Sequence, residues 1–117
     1  MVAYQPGNVA RQDRLLHALS SATRRDIVAV ALRGERSVSD LARRYPMSVA
    51  AVQKHVAVLE RVGLVAKRRR GRERLVSARI DGVHAATRLL DELEEILRSR
   101  TDRFGEILAE PKAGDSP

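Results

Sequence analysis

Val52, Val56 and Leu59 recur at i, i+4 and i+7, the spacing that gathers apolar side chains on one face of an α-helix. Ala50, Gln53, Lys54 and Ala57 fall on the opposite face, which is therefore small and polar. Ser48 supplies an N-cap for this helix, and Gly63 supplies its stop. The same reading extends to both sides. Val9, Leu15, Leu16 and Leu19 predict a first helix capped by Asn8. In SSATRRDIVAVALRG, Ser21 suits an N-cap, Ile27, Val28, Ala31 and Leu32 form a stripe, and Gly34 ends a second helix. Ser37 and Asp40 fit a capping box, opening a brief third helix through Leu41 and Ala42 to about Tyr45, where Pro46 breaks it. Beyond Gly63, residues 64–69 and 73–79 are short extended runs joined around Arg70-Gly71-Arg72, a β-hairpin. Last comes a helix of nearly 30 residues capped by Asp81, with apolar positions Val83, Ala86, Leu89, Leu90, Leu93, Ile96, Leu97, Phe104, Ile107 and Leu108; Gly105 weakens its final turns. Residues 1–7 and 111–117 are expected to be flexible tails around one domain over 8–110.

Two helices joined by a short turn make a helix-turn-helix. With a basic hairpin after it, the expected fold is mainly α with a small β-hairpin: a winged helix-turn-helix in the order α1-α2-α3-α4-β-β-α5.

Charge sharpens this picture. Residues 1–80 carry 17 of the 22 Lys and Arg but 6 of the 15 acids, a net of +11, whereas residues 81–117 come to −4. So basic a region calls for a polyanion, and for a compact fold that is nucleic acid. Lys67, Arg68, Arg69, Arg70, Arg72 and Arg74 lie on a ribbon thin enough to enter or flank a minor groove. The fourth helix fits the major groove. At its start Ser48, Val49 and Ala50 allow close approach and a phosphate contact. Gln53 can read adenine, and Lys54 can reach guanine or phosphate. Arg24 and Arg25 are candidate phosphate anchors on the second helix, and His55, between the two faces, is either packed or in contact with DNA.

Other chemistries find little support. The absence of cysteine excludes disulfides, thiolate metal sites and cysteine nucleophiles. The three histidines lie on separate elements, no glycine-rich phosphate loop follows a strand, and no enzyme is expected. Nothing calls for a cofactor. No apolar run reaches 18 residues, so no membrane helix is expected, and the first ten residues lack the pattern of a secretion signal, which suggests a cytoplasmic protein. Only Tyr4, Tyr45 and Phe104 are aromatic, which leaves an RNA reader without a stacking platform.

The stretches SSATRRDIVAVAL, SVSDLARRYPMSVAAVQKHVAVLERVGLV and KRRRGRERLVSARI together resemble the ArsR/SmtB winged-helix repressors over about residues 9–108. That resemblance implies a homodimer that binds an inverted repeat, blocks transcription and is released by an effector, often a metal. Family members that sense soft metals carry E-L-C-V-C-D-L where this chain has E-R-S-V-S-D-L from Glu35 to Leu41. Ser37 and Ser39 replace both cysteines, so that thiolate site cannot form. On the last helix, Asp81 and His84 stand one residue too far apart for the family's zinc and nickel pattern, Glu94 and Glu95 have no histidine after them, and Arg88 would repel a cation. No metal ligand is therefore assigned.

The long helix carries more large apolar residues than one small domain can cover. A second copy would bury them, with Val9, Leu15, Leu16, Leu89, Leu90, Leu93, Ile96, Leu97, Phe104, Ile107 and Leu108 at the dimer interface. The reading is a dimeric, sequence-specific regulator of transcription, a repressor, with double-stranded DNA and a second copy as partners. The effector is not specified by the sequence. The alternatives are a winged-helix module for RNA or protein, and a metal-responsive repressor using a non-standard site on the last helix.

Overall fold

Proline is well placed at the first position of a helix, where its missing N–H costs nothing. Helix α1 accordingly begins at Pro6 and runs Pro6–Ala18 in the computed structural model, which describes residues 6–109. The expected cap, Asn8, is thus inside the helix. The tails expected over 1–7 and 111–117 lie outside the described residues, except for Pro6 and Gly7, which are helical. After α1 come α2 (Ala22–Arg33), β1 (Arg36–Ser37), α3 (Val38–Ala42), α4 (Val49–Arg61), β2 (Val65–Arg70), β3 (Glu73–Ala78) and α5 (Ile80–Ala109). The expected order is present, with β1 added.

Three serines start three helices by the same chemistry, each hydroxyl oxygen accepting a backbone N–H that the helix itself cannot pair. Ser21 Oγ accepts from Arg24 at 3.2 Å, Ser37 Oγ from Asp40 at 3.0 Å and Ser48 Oγ from Ala51 at 3.1 Å. The reciprocal half of the box at Ser37 is different: the Asp40 carboxylate pairs with Arg43. Helix α3 ends at Ala42, earlier than expected, and turns carry the chain on to α4. At the far end of α4, Gly63 takes φ +80° while its N–H donates to the Glu60 carbonyl and that of Leu64 to the Leu59 carbonyl. This is the double bond of a Schellman stop.

β2 and β3 pair antiparallel from Val65↔Ala78 to Arg70↔Glu73, so Gly71 and Arg72 form a two-residue turn. Gly71 has φ +61° and Arg72 does not have positive φ, the pattern of a type II′ turn. β1 adds to the other edge of β3, through Arg36↔Val76 and Ser37↔Leu75, giving the sheet order β1-β3-β2.

Contacts divide the expected single domain into two units, residues 1–86 and 87–117. The core of the first holds Leu15, Ala18, Ile27, Val28, Val30, Val38, Leu41, Val52, Val56, Leu59, Leu64, Val65 and Val76. Val52, Val56 and Leu59 are all fully buried, so the outward face of α4 is fixed by elimination. Leu32, expected in the α2 stripe, is 46% exposed, and Val30 is buried instead. Helix α5 starts at Ile80, which puts Asp81 in its first turn rather than at the cap, where it pairs with Arg79 at 3.0 Å. Gly82 is buried in that turn: a Cβ there would come within 1.9 Å of the Gly63 carbonyl oxygen, so only glycine permits this approach.

The second unit, as described, is helix alone. Leu90, Leu93, Ile96, Leu97, Phe104, Ile107 and Leu108 are 54–67% exposed. Arg98 meets Glu94 and Glu95 at i,i+4 and i,i+3, the pairing of a solvated helix face.

Candidate nucleic-acid interface

Burial of the apolar stripe turns the other side of α4 outward. Ser48, Val49, Ala50, Gln53 and Lys54 are all exposed. Ser48 uses its oxygen as an acceptor for the helix, and its hydroxyl proton remains available to an external acceptor. His55 is half-buried: its Nδ1 lies 3.2 Å from Arg24 Nη1. A guanidinium only donates, so Nδ1 accepts and the ring proton sits on Nε2.

Arg24 is committed to the fold. Its Nε donates to the Ala18 carbonyl at 2.6 Å and its Nη2 to the His17 carbonyl at 3.0 Å, in addition to the His55 contact. It thereby caps the C-terminal end of α1 and ties it to α4. Arg25 Nη1 likewise donates to the Leu19 carbonyl at 2.7 Å. These two, expected as phosphate anchors, also hold carbonyls at the end of α1 and just beyond it, the His17 carbonyl being shared with Ser20.

The wing divides by strand alternation. Cross-strand partners share a face, so Arg68 and Arg70 lie with Leu75 and Glu73, while Lys67 and Arg69 lie with Val76 and Arg74. Lys67 pairs with Glu60 of α4 at 3.5 Å, which orients the second face toward that helix. On the first face Arg68 forms a two-pronged pair with Glu35, Nε to Oε2 and Nη2 to Oε1, each at 2.8 Å. Hydrogen bonding from Arg68, aided by the charges of Arg68 and Arg70 and opposed by desolvation, holds the Glu35 carboxyl below its ordinary range. Lys67 and Arg68, both expected to be free for an external anion, thus have internal partners. The side chains of Arg69, Arg70, Arg72 and Arg74 are exposed and take no hydrogen bond or ion pair among the described residues. Arg69 sits directly opposite Arg74, and like charges in that register repel. An anion between them would relieve the repulsion.

The turn before α4 is anchored from below. Tyr45 donates its hydroxyl proton to Asp26 Oδ2 at 2.6 Å, and Arg44 Nη2 donates to the same oxygen at 3.1 Å. Tyr45 first, then Arg44, holds the Asp26 carboxyl below its ordinary value of 3.8 against some desolvation. Neither Asp26 nor Glu35 is singled out by local pattern, because their partners lie 19 and 33 residues along the chain.

This arrangement matches known proteins. A helix-turn-helix domain family matches residues 19–68. The chain is 38% identical over 92 residues to the HTH-type transcriptional regulator Rv2034 of Mycobacterium tuberculosis, an overlap that covers 79% of this chain and 76% of that protein. An ArsR-like transcriptional regulator from Rhodococcus sp. RHA1 superposes with a TM-score of 0.71 at 31% identity, covering 86% of this chain and 95% of the other. The chain belongs to the ArsR family of winged-helix transcriptional regulators. A further solved domain shares the fold at 21% identity and a TM-score of 0.64, covering 81% of this chain and 92% of its own. It is the homodimeric winged helix-turn-helix domain of Mb0332 from Mycobacterium bovis, a possible ArsR-family regulator.

Ser37 is buried with its oxygen on the Asp40 N–H, a structural use of a position that carries cysteine in metal-sensing members. His84 is exposed, and among the described residues no group of three or more His, Cys, Asp or Glu is placed to hold a metal. Leu15, expected at a dimer interface, is 4% exposed and belongs to the core of its own chain. Val9 and Leu89 are half-buried, and Leu16 is 45% exposed. No helix among the described residues is long and apolar enough to cross a membrane.

Proposed function

We propose that this ArsR-family chain is a cytoplasmic, dimeric repressor that reads an inverted-repeat operator in double-stranded DNA. One observation carries the reading: the outward face of α4, with Gln53 and Lys54 exposed, accompanies a wing whose Arg69, Arg70, Arg72 and Arg74 side chains make no hydrogen bond or ion pair among the described residues. α4 enters the major groove, where Gln53 reads a base edge and Lys54 and Ser48 contact base or phosphate, with Val49 and Ala50 allowing the approach. The wing's free guanidinium groups take the backbone and the minor groove, where the potential is most negative. His55 offers Nε2–H as a further donor at the edge of the same helix.

The exposed stripe of residues 87–109 is the surface a second copy covers. Seven large side chains at roughly 1.5 to 3 kcal/mol each represent a gross gain of more than about 10 kcal/mol, beyond the low end of association costs. Leu15 is already buried in its own chain, so the proposed dimer face is the exposed stripe of α5. The regulator is not a thiolate metal sensor, since it has no cysteine, and it is not an enzyme.

The test is equilibrium binding of the full chain to its own genomic DNA fragments, to random duplex and to single-stranded RNA across a salt series. The expected result is a preference for duplex, a recovered site with two-fold symmetry, and a slope of log K against log salt of roughly −6 to −10. A flat salt response, or equal affinity for single-stranded RNA, would contradict it.

A further inference from the structure

The two faces of the wing have different charge balances. On one, Glu35 pairs with Arg68, and Glu73 stands opposite Arg70 in the strand register without an ion pair to it. On the other, Lys67 pairs with Glu60, and Arg69 and Arg74 make no ion pair among the described residues. Glu35 lies outside the hairpin, just before β1, yet it grips Arg68 with both oxygens at 2.8 Å, the fork geometry in which a guanidinium also binds a phosphate. The pair is exposed, with Arg68 at 56% and Glu35 at 30%, so solvent screening makes it a weak staple for the fold. Its sharper effect falls on a competing anion, which must displace a carboxylate that already has the correct shape.

We propose that Glu35 is a specificity-determining residue that stands in for DNA phosphate on Arg68, withholding one guanidinium of the wing and so limiting the hold of the chain on DNA of any sequence. The proposal rests on the duplex-binding reading above. Phosphate contacts supply affinity without sequence information. A cation withheld from the backbone lowers binding to all duplexes alike and leaves base reading by α4 untouched. Glu35 thereby raises the share of binding energy that depends on sequence.

Binding of the full-length protein to random-sequence duplex over a salt series tests this. Glu35→Gln frees one guanidinium per protomer and is expected, for each protomer in contact, to raise affinity roughly five- to ten-fold near 0.1 M salt and to steepen the slope by about 0.9. Glu92→Gln, which makes the same change in net charge on α5, is expected to leave both unchanged. Arg68→Ala alone is expected to change affinity less than about two-fold, and in the Glu35→Gln background to cancel the gain. Three outcomes would overturn the proposal while the wild type still binds duplex steeply. These are an unchanged or lower affinity for Glu35→Gln, an equal gain for Glu92→Gln, or an Arg68→Ala loss as large as that of Arg69→Ala. A wild-type chain that holds no duplex at low salt would instead overturn the DNA-binding reading, and the proposal with it.

Discussion

Arg24 and Arg69 are both arginines of the strongly basic part of the chain, and on composition alone they are interchangeable. In the structure Arg24 directs its guanidinium to two carbonyls at the end of α1 and to His55, whereas Arg69 projects from the wing opposite another arginine and makes no ion pair among the described residues. Arg25, Arg44 and Arg68 side with Arg24, each held by a carbonyl or a carboxylate. Arg70, Arg72 and Arg74 side with Arg69. Net charge therefore overstates the surface available to a polyanion. What counts is which cations the fold leaves without a hydrogen bond or ion pair among the described residues, and four of them stand together toward the tip of the hairpin.

The comparison can be broken most decisively at Arg24. Arg24→Ala removes the side-chain donor to the carbonyl of the fully buried Ala18, while the His17 carbonyl keeps Ser20, and is expected to lower stability by about 1–3 kcal/mol in thermal or denaturant unfolding. If it unfolded like the wild type and lost only DNA affinity, Arg24 would belong with the wing. Next in size, Gln53→Ala is expected to flatten base preference at one operator position by about 1–3 kcal/mol while leaving the salt slope unchanged, as read by competition among operator variants. Arg69→Ala or Arg72→Ala should lower affinity for every duplex alike by about 0.3–2 kcal/mol, with stability within about 0.5 kcal/mol of the wild type. Loss of base discrimination from the wing variants equal to that from Gln53→Ala would erase the division between reading and gripping.

The smallest expected effect concerns acid. Asp26 has its folded pKa below the ordinary 3.8, chiefly through the Tyr45 hydroxyl, so its contribution is complete above that value and is lost as pH falls through the depressed one. Since the carboxylate is 41% exposed, the contribution is less than about 1 kcal/mol. Unfolding curves of the wild type and Tyr45→Phe should therefore converge as pH drops below about 4. A gap that stayed constant to lower pH would assign the role of Tyr45 to packing.

Local chemistry made much of the fold legible. Ser21, Ser37 and Ser48 cap as their side chains dictate, Gly63 and Gly71 take the positive φ expected of a helix stop and a tight turn, and the stripe on α4 is buried as its spacing requires. β1 was not legible, because two residues carry no periodicity and exist as a strand only through pairing with β3, nearly 40 residues later. The candidate site was legible in its elements and less so in its individual residues. Nothing near Arg68 in sequence shows that Glu35 holds it, and nothing near Arg24 shows that His55 does. Leu15 followed the same logic: its helical spacing marked an apolar face, but only the packing showed that the chain itself buries that position.

The most direct test is the salt dependence of duplex binding by wild type and by the Arg69→Ala/Arg74→Ala double variant, measured side by side. The account predicts equal stability and a slope of log K against log salt that is shallower by about two for each protomer in contact. An unchanged slope would mean that the unpartnered arginines of the wing do not touch the DNA backbone.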